Sequence, residues 1–176
     1  MVVMSLIAEA KQVYAAAGLD CGHALLPPAA AAAVDALETE LSLPVPPELR
    51  EVYRVHSGQE YVSPGLTGLF GQHRLLTPAE VVEHHRMYAE NCLLDPMPAF
   101  PPPAEAWGCW VPQLIPFASW DAYDLCIHAE SGEMWEFIPN CGLIRHRPNI
   151  AAVLREVIAA VRAGREPRLG EMRGPA

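Results

Sequence analysis

The chain has 176 residues, 51% of them hydrophobic and 19% charged, with a formal net charge of −9. That length and composition suit one globular domain around one core and speak against general disorder. The charge is uneven: residues 1–143 carry 18 acids against 5 bases, and residues 144–176 carry 7 arginines against 3 acids, so the acidic body disfavours nucleic acid and suits a basic protein partner.

At the N-terminus, Met-Val-Val-Met-Ser-Leu-Ile-Ala-Glu9 lacks a basic leader and meets a charge early, a poor signal peptide. No run is apolar and long enough for a membrane-spanning helix, so a cytosolic protein without a membrane partner is expected. The first predicted helix runs from Ser5, as N-cap, to Ala17. Leu6, Ala10, Val13, Tyr14 and Ala17 form its apolar face, and Gly18 ends it. A second follows Pro27-Pro28 and runs through alanines 29–33 to about Leu41, with Ala30, Val34, Leu37 and Leu41 inward.

The third predicted helix places Pro47 in its first turn and Glu48 at its positive end. Leu49, Val52, Tyr53 and His56 keep the spacing of a buried face, and Gly58 stands where a left-handed terminal residue is expected. Leu69-Phe70 reads as a short strand. Thr77-Pro-Ala-Glu80 is a capping box that opens a helix to about Glu90. Residues 96–103 hold five prolines, which predicts a surface loop joining two halves of one domain. Beyond it the period becomes two. Val111 to Ala118 reads as a strand, with Pro112 and Pro116 pointing to an edge or a bulge. Tyr123 to His128 and Glu133 to Ile138 flank a Glu130-Ser-Gly132 turn as a hairpin. The last helix takes Asn149 as its cap and Ile150, Val153, Leu154, Val157, Ile158 and Val161 as its stripe. Gly164 ends it, and residues 165–176 are expected to fray.

The chemistry-bearing residues do not form a recognisable catalytic set. His56 and Ser57 are adjacent at a helix end, so they point apart, and no strained G-x-S-x-G elbow is present. Glu80, Glu83, His84 and His85 crowd one helix after His73, but H-E-x-x-H is missing and consecutive histidines lie about 100° apart around the axis. A solvated helix face, with Glu80 pairing to His84, is the expectation, and no metal is expected. Asp121 with Asp124, and Glu133 with Glu136, are spaced so that a strand would turn each pair to opposite faces. Neither phosphate-binding glycine motif occurs, and no cofactor is expected. The five scattered cysteines (Cys21, Cys92, Cys109, Cys126, Cys141) include no C-x-x-C pair and are read as small buried apolar residues. Trp107, Trp110, Phe117, Trp120, Tyr123, Trp135 and Phe137 are read mainly as core, with Trp120 before Asp121 as a possible exposed anchor.

Leu43-Pro44-Val-Pro46-Pro47-Glu-Leu49-Arg-Glu-Val52-Tyr53, ending in His-Ser-Gly58-Gln59, resembles the signature of the SUKH superfamily, which includes fungal cell-wall-assembly regulators and bacterial relatives. "GLFGQHRLLTPAEVVEHHRMY" and "WVPQLIPFASWDAYDLCIHAESGEMWEF" are similar to the pieces that follow in that superfamily, so the resemblance covers about residues 30–160. Ser57 departs from the usual Asn or Asp, Tyr123 from a frequent glycine before the acidic residue matched by Asp124, and His128 from a frequent Asp.

The resemblance implies a single α+β domain, with a mixed, mostly antiparallel sheet flanked by helices and no common catalytic apparatus. It further implies a binding role: an immunity protein that neutralises a protein toxin, or an interaction module such as a regulatory scaffold. Taken with the acidic body, the expectation is a non-enzymatic protein that binds a basic toxin through Gln59, Glu60, Trp120, Asp121 and Asp124. A small hydrolase or metal-dependent enzyme using His73, His84, His85 or Ser57 is the alternative from another class.

Overall fold

The computed structural model describes residues 1–19, 21, 24–60, 67–91, 110–121, 123–139 and 142–167. The elements are α1 (Val2–Ala16), α2 (Ala31–Leu41), α3 (Pro47–Val55), β1 (Arg74–Leu75), α4 (Pro78–Asn91), β2 (Leu114–Trp120), β3 (Tyr123–His128), β4 (Met134–Ile138), β5 (Gly142–Arg147) and α5 (Ile150–Arg162). The five strands make one sheet in the order β1-β2-β3-β4-β5. Every pairing is antiparallel, so the fold is α+β as expected, without the parallel component that "mixed" allowed for.

Alternation along the strands divides the side chains between two faces. Leu125 pairs with Glu136 and Asp124 with Phe137 across β3 and β4, which puts Leu125 and Glu136 on one face and Asp124 and Phe137 on the other. The first face joins the main core: Ile115, Phe117, Leu125, Ile127 and Met134 cluster with side chains of α1, α3 and α5. On the second face Trp110, Val111, Leu114, Cys126, Trp135 and Phe137 cluster with Tyr88 of α4. Trp110 and Phe137 lie 5.1 Å apart, and Tyr88 and Phe137 4.7 Å apart, both edge to face.

Local signals place the helices well, with instructive exceptions. Thr77 and Glu80 exchange bonds as a capping box: the Thr77 N–H donates to Glu80 Oε2 at 2.8 Å and the Glu80 N–H to Thr77 Oγ1 at 3.3 Å. Asn149 Oδ1 accepts the Ala152 N–H at 2.9 Å and starts α5. Ser5 is no cap, since α1 already begins at Val2. His56, extended at φ −143, ends α3. Gly58 is not left-handed; its role is close approach, because a Cβ there would stand 2.5 Å from Thr77 Cγ2. Leu69-Phe70 forms no strand but part of a tight turn, with bridges from Gly68 to Gly71 and from Phe70 to His73. The bulge that Pro116 foreshadowed lies between Pro116 and Ala118, in a strand interior to the sheet rather than at its edge. β5, a stretch with no strand signal of its own in the sequence, completes the sheet. Cys21 and Cys126 are buried; Cys92, Cys109, Cys141, Trp107 and the proline-rich loop lie outside the described residues.

Candidate functional site

Two polar constellations stand on opposite faces of the sheet. On the α4 face, Asp124 is fully buried. His84 Nδ1–H donates to its Oδ2 at 2.6 Å, and the Tyr88 hydroxyl donates to the same oxygen at 2.9 Å. One helical turn separates the two donors on α4, so both reach one carboxylate. The bond to Asp124 raises the His84 pKa above the ordinary histidine value, against the opposing pull of burial. Burial lowers that of His85, whose Nε2–H donates to the Pro112 carbonyl at 3.0 Å and whose ring meets Trp110 edge-on. The expectation of a solvated face carrying both histidines is therefore corrected: both are partly buried against the sheet. Glu80 makes no hydrogen bond to His84, but its charge adds to that of Asp124 in raising the His84 pKa. Burial would push its carboxyl up, but Arg74, 2.8 Å away, and the Thr77 bonds hold it below the ordinary value.

The other face carries a different group where β2 turns into β3. Trp120 pairs across the strands with Tyr123, and their rings stack at 5.4 Å with 28° between planes. His73 meets the Trp120 ring at 6.3 Å and 66°, and its Nε2 lies 3.4 Å from Glu136 Oε1. His73 is 3% exposed and neither ring nitrogen has a hydrogen-bond partner among the described residues. Trp120 is 44% exposed, and it is the only exposed aromatic side chain among the described residues. Asp121 beside it is exposed and left-handed at φ 57, a conformation aspartate tolerates better than most residues.

The five residues singled out by sequence divide in two. Glu60, Trp120 and Asp121 face solvent. Gln59 is buried: its Oε1 accepts the Leu69 N–H at 3.0 Å and its Nε2 donates to Thr67 O at 3.3 Å, while its own N–H donates to Leu75 O at 2.9 Å. It fastens the segment before β1 and the strand itself, and presents no contact surface. Asp124 is likewise turned inward. Glu60 follows Gln59 on the outer side of β1, where Gln59 runs beside Leu75 and the Glu60 N–H donates to Ala24 O at 2.8 Å. Arg74 of β1 faces α4, on the side of the sheet opposite Trp120, and is engaged by Glu80 and by the Gln59 carbonyl.

The residues of the enzyme alternative do not converge. His84, bound to Asp124, and His73, beside Glu136, stand on opposite faces of the sheet. Ser57 is fixed through its N–H to Pro27 O at 2.7 Å, and the neighbouring His56 ring bonds Leu26 O at 2.8 Å. No group of three or more metal-ligating side chains occurs among the described residues. Sequence reading missed the Asp124–His84–Tyr88 cluster; the one available signal was an aspartate within the apolar alternation of β3 facing a helix with His84 and Tyr88 on one stripe.

The model of the SMI1 / KNR4 family (SUKH-1) matches residues 28–155, a span holding every residue of both constellations and excluding α1. No curated protein matches the chain.

Proposed function

Because the chain belongs to the SMI1 / KNR4 family (SUKH-1), we propose that it is a non-enzymatic protein-binding domain, and specifically a cytoplasmic immunity protein that neutralises a cognate protein toxin by direct binding. The observation that carries this reading is Trp120, exposed at a strand end yet held in place by Tyr123 and His73. A large indole left in water forgoes burial that a partner would restore, and tryptophan is prominent among residues that dominate interface energies. Pre-ordering by its two neighbours lowers the entropy lost on binding. Exposed Glu60 and Asp121, within an acidic body, favour a basic partner and speed its approach.

The test is co-expression with the product of any toxin-like reading frame found beside its gene, together with capture of a basic polypeptide by the purified chain. The expected result is a stable complex and survival of the host, both lost with Trp120→Ala. Absence of a complex and of protection with the native chain would count against the immunity role.

A further inference from the structure

We propose that the Trp120–Tyr123 stack, with Asp121 at its side, receives an arginine or lysine side chain of the partner, as a cation–π and carboxylate receptor. This rests on the protein-binding reading above and names the chemistry of the contact. An aromatic face attracts a cation through its quadrupole, most strongly for tryptophan. Here the indole is stacked against Tyr123 at 5.4 Å and steadied by His73, so it does not need to be ordered when the ligand arrives.

The surrounding charges point the same way. Asp121 is exposed next to the ring in sequence, and Glu136 lies against His73, which itself meets the indole. The cation of β1, Arg74, is turned to the opposite face of the sheet, where it pairs with Glu80 of α4 at 2.8 Å. A guanidinium laid on the indole would thus find an aromatic face with an exposed carboxylate on the next residue, and the cation of β1 turned to the other face. An anionic or purely apolar side chain would leave Asp121 unanswered. Arginine suits the place better than lysine, because its plane stacks on the ring while its fork reaches a carboxylate.

The experiment measures binding of a hexaarginine peptide, and of its neutral counterpart hexacitrulline, to the full chain at low salt. Trp120→Leu, Trp120→Phe and Asp121→Asn are compared with the native chain, with thermal melting to confirm folding. Hexaarginine should bind and hexacitrulline should not. Trp120→Leu leaves the net charge intact, yet should weaken hexaarginine binding by about three- to thirtyfold. Trp120→Phe should recover part of that loss, and Asp121→Asn should weaken binding as well. Equal binding of hexacitrulline, no binding of hexaarginine, or undiminished affinity in Trp120→Leu would each overturn the proposal. If Trp120→Leu binds hexaarginine normally but loses the toxin complex, the cation receptor fails and the protein-binding reading stands. If the variant keeps both, Trp120 is no part of either surface.

Discussion

His84 and Asp124, forty residues apart in sequence, are joined by a 2.6 Å hydrogen bond that fastens α4 to the centre of the sheet. Asp124 is fully buried, whereas the His84 side chain keeps 23% of its surface in contact with solvent. A proton taken up at His84 therefore strengthens a bond whose acceptor is already in place. The Tyr88 hydroxyl on the same oxygen adds a second tie from the same helix.

This bond predicts a pH dependence of stability with a definite sign. The His84 pKa is raised first by Asp124, with burial opposing. Its contribution is complete below the ordinary histidine value of about 6.5 and is lost as the pH rises through the folded-state value. His56 and His85 have the opposite sign: burial lowers both, so their contribution is complete above about 6.5 and is lost as the pH falls through their folded-state values. Denaturant titrations of the native chain and of His84→Gln should show a stability gap that is widest on the acid side and narrows toward alkaline pH. A gap independent of pH would mean that the bond does not depend on the charge of His84.

A second prediction concerns the start of α5. Glu48 of α3 accepts the N–H of Ile150 at 2.8 Å and of Ala151 at 3.3 Å, while Asn149 accepts that of Ala152. Three of the four N–H groups left open at a helix start are thereby satisfied, one carboxylate coming from about a hundred residues away. Glu48→Ala and Asn149→Ala should each cost about 1 kcal/mol of unfolding free energy. Glu48→Ala should also loosen the α3–α5 contact, read as faster amide exchange at the start of α5. Unchanged exchange in that variant would show that the Glu48 bonds do not persist in solution.

What the sequence made legible follows from the range of the forces involved. The Thr77–Glu80 box, the Asn149 cap and the apolar stripe of α5 are local, and the residues that carry them are adjacent in the chain. β5 was illegible because its Gly-Leu-Ile-Arg-His-Arg sequence has no clear alternation, and its extended form comes from pairing with β4. Glu48 was read as serving its own helix, and nothing in the chain announces that it also serves α5. At the surface, Trp120 and Asp121 could be singled out because a tryptophan beside an acid at a turn is unusual. The burial of Gln59 and Asp124 could not be read, since a polar residue in a loop or strand does not disclose which partner fills its bonds. Histidines 84 and 85 were misjudged for the same reason.

The turn that carries His73 to Trp120 depends on glycine for lack of space, which can be tested directly. A Cβ at Gly68 would stand 2.0 Å from the His73 carbonyl oxygen and 2.6 Å from the Arg74 nitrogen, both backbone atoms that cannot swing aside. Gly132, in the β3–β4 turn, is left-handed at φ +71 but faces open space. Gly132→Ala should therefore cost only its backbone strain, about 1 kcal/mol. Gly68→Ala should cost about 3 kcal/mol or more, and should shift the His73 ring resonances as β1 moves away from β2. Equal melting temperatures for the two variants would contradict the close approach.

Trp110 and Trp120 give a clean separation between folding and binding. Trp110 is fully buried, packed on Tyr88, Phe137 and His85. Trp110→Ala should cost about 3–5 kcal/mol, because it removes the centre of the cluster under α4 and leaves a cavity the rigid sheet cannot close. Trp120 packs on Tyr123 and His73 and keeps 44% of its surface in water, so Trp120→Ala should cost about 1–2 kcal/mol, well below the cost at Trp110. If the strand-end surface binds a partner, the order reverses in a binding measurement on folded protein: Trp120→Ala should lose about 2 kcal/mol or more of affinity. Trp110→Ala, measured at a temperature where it remains folded, should lose little, since its ring sits on the opposite face of the sheet. A Trp120→Ala variant as unstable as Trp110→Ala would make the exposed indole a structural prop, and its effect on a partner would then be indirect.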